Sequence, residues 1–320
     1  MGVSALLVLA AAVSVQSGAG IAARLFSELP PAAVTTLRLW SAALIMLAVG
    51  GRGAARVVAD LAKRRAWRDA VATGTFGIFL AVMNFAIYQA FERIPLGIAV
   101  TIEFLGPLAV AVAGARRILS LVWVALAAAG VLLLAQGSGG HLDLVGVAFA
   151  LLSAVGWAGY ILFSRATGQR VPGSAGLVIA MCVAAVLVTA PGVAAGAPGM
   201  FRPTLLLTGA AIGLLSSVIP YWLEFEALRR VPPQVFGVWM SVQPAVAALI
   251  GLAMLGQRLS AAEWAGICCV TVASGGAARG GPALSPQALR CGACLPGLRA
   301  SRPRSCGRRG TRCAGWRSPR

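Results

Sequence analysis

A chain of 320 residues that is 59% hydrophobic and only 11% charged is too apolar for a water-soluble core, since soluble domains carry roughly 25% charged residues. The net charge of +18 suggests nucleic-acid binding, but residues 279–320 alone hold ten arginines and no acidic residue. The other basic residues lie mostly between apolar runs, whereas a nucleic-acid-binding protein needs a soluble basic face. Composition therefore predicts a protein in the lipid bilayer without a nucleic-acid partner.

The apolar residues form continuous runs of the length that a membrane-spanning helix needs, ~20 residues. Backbone polar groups in a bilayer must find internal partners, and barrel strands would alternate apolar and polar residues. We therefore predict an all-α membrane protein with about ten transmembrane helices. In chain order, the predicted spans are residues 3–23, 32–50, 70–91, 96–115, 118–136, 144–164, 174–195, 203–227, 234–255 and 261–278.

Lysine and arginine are concentrated in alternate loops between these spans. The loops after even-numbered spans hold twelve basic residues, and the other loops hold four. Because basic loops stay in the cytoplasm, this asymmetry predicts a multi-pass protein of the cell (inner) membrane with both termini in the cytoplasm. The basic side is marked by Arg52, Arg56, Lys63, Arg64, Arg65, Arg68, Arg116, Arg117, Arg165, Arg170, Arg229 and Arg230, and the other side by Arg24, Arg93, Arg202 and Arg258.

The sequence outline of residues 84–107 returns 137 positions later, in residues 221–244. Five spans per unit is an odd number, so the second copy would enter the membrane from the opposite side. Inverted repeats of this kind are typical of secondary transporters, with the substrate site near the midplane between them. We predict a first five-helix repeat over residues 1–137 and a second over residues 138–278.

Residues 279–320 form a different kind of segment, rich in Arg, Gly, Pro and Cys. Without acidic residues or helical periodicity, this tail is predicted to be disordered. It is either a segment that binds anionic lipid or the product of a shifted reading frame. Its four cysteines suggest a zinc or disulfide site, but the flanking sequence offers almost no apolar residue to fold around a metal, so we predict no metal and no cofactor.

Several ionisable residues fall inside predicted spans, among them Glu103 and Arg38. Glu103 lies in the fourth span, where a carboxylate is costly and so indicates function. Burial disfavours its charged form, so Glu103 is a candidate proton carrier. The alternative is a structural ion pair or a hydrogen-bonded neutral acid. Arg38, in the second span, is either an inward-facing partner for a carboxylate or a side chain that snorkels to the interface.

Further polar residues in the spans suit the ammonium and carboxylate of a zwitterionic substrate, although each is alternatively a helix–helix hydrogen bond. Asn84 and Tyr88 are one turn apart and share a helix face. The other candidates for the substrate and proton pathway are Gln16, Tyr160, Glu224, Ser241 and Gln243. Proline removes a backbone donor, so kinks are predicted at Pro107, Pro220 and Pro244.

Several of these stretches resemble the EamA-type branch of the drug/metabolite transporter superfamily. The most specific is IPLGIAVTIEFLGPLAV over residues 94–110, followed by FGVWMSVQP over residues 236–244. Shorter matches are SVQSGA at 14–19, TLRL at 36–39, MN at 83–84, LDLVG at 142–146 and PYWLE at 220–224. The likeness covers roughly residues 3–278. The chain differs from the family pattern at Gln243 and Gln257, where such proteins often have Glu.

The resemblance implies a non-enzymatic, proton-driven exporter of small amino acids such as threonine and homoserine, with protons and a zwitterion as its ligands. Glu103 would carry the proton, and Arg38, Asn84, Tyr88 and Glu224 would line the site. One alternative is a broad-range drug or metabolite exporter of the same architecture. Another is a non-transporting membrane scaffold that uses the basic tail to hold anionic lipid or nucleic acid.

Overall fold

The computed structural model describes residues 2–115, 119–137, 143–171, 174–196, 199–228, 230 and 233–280, and within these residues it contains helices and no strand. The α-helices are α1 Gly2–Leu25, α2 Pro31–Lys63, α3 Trp67–Arg93, α4 Leu96–Glu103, α5 Leu105–Ala115, α6 Leu119–Gly137, α7 Leu144–Gly168, α8 Ala175–Gly196, α9 Pro203–Gly213, α10 Ile219–Leu228, α11 Pro233–Met240, α12 Gln243–Leu255 and α13 Ala261–Gly280. A short 3-10 helix covers Gly199–Phe201, and a π-helical segment covers Leu214–Val218.

These helices confirm the predicted fold class. Nine spans in the described residues are long and apolar enough to cross a membrane. The tenth, α6, has a shorter apolar stretch, Leu121–Leu134. Its 19 residues nevertheless rise ~28 Å at ~1.5 Å each, about the thickness of the hydrocarbon core. Spans 4, 8 and 9 are each built from two α-helices, namely α4 with α5, α9 with α10, and α11 with α12.

The second span is longer than predicted. It continues past residue 50 to Lys63 because no proline interrupts it and because the extension has an apolar side. On that side, Ala54 is buried in a cluster with Val171, Ala175 and Val178. Several basic residues assigned to a loop are therefore on a helix. The last helix likewise reaches Gly280, two residues into the predicted tail, and the rest of the tail lies outside the described residues.

The fourth and ninth spans are interrupted at equivalent places in the predicted repeats. Span 4 breaks at Phe104, between α4 and α5. Span 9 breaks at Ser241 and Val242, between α11 and α12. A proline follows each break by two or three residues, Pro107 in one and Pro244 in the other. Each lacks the N–H that would bond the carbonyl four residues earlier, so the helix loses a bond where it is interrupted.

The eighth span is distorted rather than broken. Its π-helical segment, Leu214–Val218, ends two residues before Pro220, and the backbone N–H of Ile219 bonds the carbonyl of Leu214. Pro220 has no N–H to give to the carbonyl of Ser216, so that carbonyl can accept a bond from elsewhere. All three prolines predicted to bend helices therefore lie beside an irregular segment.

Helix pairing is compatible with an inverted duplication. The most extensive contacts pair α3 with α7, α2 with α8 and α6 with α13, which are spans 3 with 6, 2 with 7 and 5 with 10. Span 1 packs on span 8 as span 3 packs on span 6, and span 4 packs on span 9 through α4 and α12. If each span is replaced by its counterpart five spans away in the chain, the same set of span–span contacts results. The duplication and its domain bounds stay predictions.

Each end of the bundle has its own contacts between residues that are far apart in the chain. At one end, Arg170 after α7 pairs with Asp69 at the start of α3, at 3.3 Å. At the other end, the Nε of Arg24 donates to the Met254 carbonyl at 2.9 Å. There too the side chain of Gln257 accepts from the backbone N–H of Leu96 at 3.0 Å, which caps the start of α4. The first end carries the excess of basic residues.

Candidate functional site

A cavity of about 520 Å³ lies among the spans and contains most of the predicted site residues. Eight of the nine substrate and proton-pathway candidates line it, together with Pro107 and Pro220. These eight residues come from seven spans, so the tertiary fold and not local sequence assembles them. They are Gln16, Arg38, Asn84, Tyr88, Glu103, Tyr160, Glu224 and Gln243.

The structure does not bring Ser241 into this group. Ser241 is buried beside the break in span 9, and its hydroxyl donates to the carbonyl of Val238 at 2.7 Å. That bond satisfies a backbone group of α11, where the helix ends. Pro244 is also buried outside the cavity, in the first turn of α12, whereas its neighbour Gln243 lines the cavity.

Arg38 points into the cavity rather than toward the membrane surface, and only 8% of it is exposed. Its helix lies close to α9, where a side chain at Gly213 would come within 2.9 Å of the Arg38 carbonyl. The guanidinium donates through Nη2 to the Ser216 carbonyl at 3.1 Å, the acceptor that Pro220 leaves free. Its carbon lies 5.2 Å from the centre of the Tyr88 ring. Two independent contacts thus fix the direction of the positive charge.

Glu103 is the last residue of α4 and is also only 8% exposed. The Ser153 hydroxyl on α7 lies 2.5 Å from its Oε1. Arg38 acts on this carboxyl group through space, but in the described part of the chain Glu103 forms no ion pair. A hydroxyl is therefore its polar neighbour, and a hydroxyl can serve both the neutral and the ionised carboxyl group.

Glu224 supplies a second carboxyl group to the cavity from α10. It lies near Tyr160 and Tyr221, which interact with it electrostatically. Within the described residues it forms neither a hydrogen bond nor an ion pair. By contrast Glu226, two residues nearer the helix end, pairs with Arg230 at 2.6 Å, as expected for a solvated side chain.

Buried polar atoms without a protein hydrogen bond are concentrated at the cavity. In the described residues seven such side-chain atoms occur, and five belong to residues that line it. A buried polar group without a partner costs about 1–3 kcal/mol, so these atoms are suited to a polar ligand or to water. The five are Gln16 Oε1, Arg38 Nε, Tyr88 OH, Ser216 Oγ and Ser274 Oγ.

Sequence reasoning missed several polar residues at the site. Tyr221, Ser216 and Ser274 line the cavity. The hydroxyl of Ser153, on α7, contacts the carboxyl group of Glu103. The sequence held one signal for Tyr221, which is the rarity of tyrosine, since the chain has only three. All three line the cavity. The serines carried no such signal, since serine is common in membrane helices as a partner for backbone carbonyls.

The cavity extends toward the basic end of the bundle. Its lining includes residues near that end of four spans, namely Ala111, Ser164, Phe236 and Ala278. The opposite end is filled by a buried apolar cluster that includes Leu25, Leu29, Ile94, Leu96 and Ile98. The direct contacts of Arg24 and Gln257 lie at that filled end.

Known proteins resemble this chain over most of its length. The EamA-like transporter family matches residues 144–277. The threonine/homoserine exporter RhtA of Salmonella typhimurium strain LT2 is 36% identical over 276 residues, covering 85% of this chain and 90% of the relative. RhtA of Escherichia coli K12 is 35% identical over 272 residues, covering 84% and 89%. A solved crystal structure with 19% identity shares the fold, with a TM-score of 0.56 over 86% of this chain and 96% of its own.

Proposed function

Since the chain belongs to the EamA-like transporter family of the drug/metabolite transporter superfamily, we propose that it exports small zwitterionic amino acids, such as threonine and homoserine, in exchange for protons. The observation that carries this proposal is a cavity lined, among the described residues, by one buried arginine and two carboxyl groups. Such groups are expensive in a membrane and mark substrate and ion pathways.

The charges of the cavity complement those of an amino acid. Arg38 can bind the substrate carboxylate, because its Nε is buried without a protein partner and its geometry matches a carboxylate. Glu224 can bind the ammonium group, since no described residue occupies its carboxyl group. The names of the relatives support threonine and homoserine as the substrates to test first.

Glu103 is the proton carrier in this proposal. It is buried and its polar contact is a neutral hydroxyl, so gain and loss of a proton leaves no unpaired cation behind. A carboxyl group paired with arginine would stay ionised, which would not suit proton exchange. Glu103 and Arg38 share the cavity, so a proton and a substrate carboxylate can influence each other there.

The direction of transport follows from the proposed orientation. With both termini in the cytoplasm, the basic end of the bundle faces inward, and the cavity extends toward that end. The cluster at the other end would then close the external path. Substrate would enter from the cytoplasm, and the two proposed repeats, 1–137 and 138–278, would rock about the site to release it outside.

The proposal is tested by expressing the full chain in cells that lack their own exporters and measuring tolerance to external homoserine and threonine. The wild type is expected to protect the cells, and Glu103→Gln to abolish protection while inserting normally. The matched control is Glu92→Gln, because Glu92 is an exposed acid paired with Arg93 at the bundle surface. Protection by Glu103→Gln equal to that of the wild type would exclude Glu103 from the mechanism.

A broader exporter of drugs or metabolites is the second candidate, and the apolar part of the cavity favours it. Met83, Phe91, Phe104, Trp157 and Met240 line the cavity beside the charged residues. Methionine and aromatic side chains adapt to varied apolar ligands. A tolerance screen that compares amino acids with cationic dyes separates the two: dye tolerance without amino-acid tolerance supports the broad exporter.

A further inference from the structure

Ser153 lies between two acceptors that belong to different spans. Its hydroxyl oxygen is 2.5 Å from Oε1 of Glu103 on α4 and 2.9 Å from the backbone carbonyl of Met83 on α3. The residue is fully buried, with no exposed surface. Water is therefore not an alternative partner for this hydroxyl, and its bonds must be shared between the carboxyl group and the carbonyl.

Two glycines hold these groups close together. A side chain at Gly156, one turn along α7, would lie 2.8 Å from the Met83 backbone, so only glycine lets α7 approach α3 this closely. A side chain at Gly106 would collide with the carbonyl of Ala154, the neighbour of Ser153. Both partners are thus held against Ser153 by backbone packing, not by flexible side chains.

The hydroxyl of Ser153 has one hydrogen, so the two contacts cannot both be donated by it. When Glu103 carries a proton, its O–H donates to Ser153, and Ser153 donates to the Met83 carbonyl. When Glu103 is ionised, Ser153 must turn its hydrogen to the carboxylate, and the Met83 carbonyl loses this donor. Each protonation state of Glu103 therefore specifies a different hydrogen-bond arrangement between spans 3, 4 and 6.

We propose that Ser153 is a positioning residue that couples the protonation of Glu103 to the contact between α3 and α7, by donating to Met83 in one state and to Glu103 in the other. The inference rests on the proposed role of Glu103 as proton carrier. The α3 helix belongs to the first proposed repeat and α7 to the second. A hydrogen bond that changes between them would therefore alter the contact across which one half moves against the other.

Other charged or titratable groups also line the cavity, and the test must separate them from Glu103. Among the described residues that line the cavity they are Arg38 on α2, Tyr88 on α3, Tyr160 on α7, and Tyr221 and Glu224 on α10. The helices α12 and α13, which also pack against α4, contribute Gln243 and Ser274, which do not titrate. Glu224 is therefore the second carboxyl group that must be removed.

Infrared spectroscopy of the full-length protein in lipid vesicles tests the proposal, because the carbonyl stretch of a protonated carboxyl group is lost on ionisation. The band is followed against pH in a Glu224→Gln background and assigned to Glu103 by its loss in Glu103→Gln. Adding Ser153→Ala is expected to move its midpoint about one pH unit higher. The reason is that a hydrogen bond that favours the ionised form is removed.

Two further variants separate this effect from general packing. Ser153→Thr keeps the hydroxyl and is expected to restore the original midpoint; if its extra methyl group prevents folding, Ser153→Cys, a weaker donor, is expected to give an intermediate one. Ser14→Ala is the structural control. Ser14 also bonds across helices, to the Leu215 carbonyl at 2.7 Å, and its loss is expected to leave the midpoint unchanged.

The outcomes distinguish the inference from the proposed function. A Glu103 band that titrates identically with and without Ser153→Ala overturns the role of Ser153 and leaves Glu103 as proton carrier. A Glu103 band that does not titrate in the parent protein overturns both. A shift in Ser153→Ala that Ser153→Thr reverses supports the coupling.

Discussion

Arg38 and Tyr88 face each other in the cavity, with the guanidinium carbon of Arg38 5.2 Å from the centre of the Tyr88 ring. A cation over an aromatic face is attracted by the ring, and more strongly when water is excluded. The arginine also donates to the Ser216 carbonyl at 3.1 Å. These contacts hold the guanidinium in place and leave its Nε free for a ligand.

We therefore expect Arg38→Lys to impair transport even though the charge is kept. Lysine cannot reproduce the planar fork that binds a carboxylate with two hydrogen bonds. The loss of one charge-assisted bond, about 1.5–3 kcal/mol, corresponds to a roughly 10- to 100-fold weaker affinity. Counterflow of labelled homoserine in proteoliposomes measures it. Arg202→Lys, at an exposed position before α9, serves as the control, and equal affinity in both variants would contradict the assignment.

Gly156→Ala is expected to destabilise the protein. The added carbon would lie 2.8 Å from the Met83 backbone, which cannot move aside as a side chain could. Overpacking of this kind costs about 1–3 kcal/mol, so the detergent-solubilised protein should melt several degrees lower. Gly168→Ala in the same helix is the matched control, because a side chain there meets no atom within 4 Å. Equal melting temperatures in the two variants would show that α3 and α7 are less tightly packed than described.

The proposed orientation predicts opposite accessibility for two arginines. Cysteine introduced at Arg64 is expected to react only with reagents that reach the cytoplasm, and cysteine at Arg202 with impermeant reagents added outside. A cysteine-free parent removes the background of the seven native cysteines. Labelling of both sites from the same side would contradict the inverted arrangement of the two halves.

Truncation after Gly280 is expected to leave amino-acid tolerance unchanged, because every described residue that lines the cavity lies before it. Truncation after Ala273 is the contrasting variant. It removes Ser274 from the cavity and Gly276, which packs directly on Trp123 of α6, so it should abolish insertion or transport. If the variant truncated after Gly280 also fails to protect the cells, the result supports the alternative of a membrane scaffold. In that alternative the basic tail binds lipid or nucleic acid.

Much of the fold could be predicted because hydropathy acts locally. A run of about twenty apolar residues must be helical in a bilayer, so the spans could be located from sequence, and the prolines indicated where they are irregular. The extension of α2 to Lys63 was missed because hydropathy marks where a helix leaves the apolar layer, not where it ends. Glu103 and Arg38 stood out for the same reason, as charges within apolar runs.

The sequence by itself determined which residues lie in the membrane and which charges are buried there, because the free energy of transfer from water depends on each residue's own chemistry. Only the tertiary structure decided which groups meet. Rotation of each helix about its axis and its choice of neighbours depend on close packing at small residues such as Gly106 and Gly156. That packing turned Arg38 inward, kept Ser241 out of the cavity and placed Ser153, fifty residues away in the chain, against Glu103.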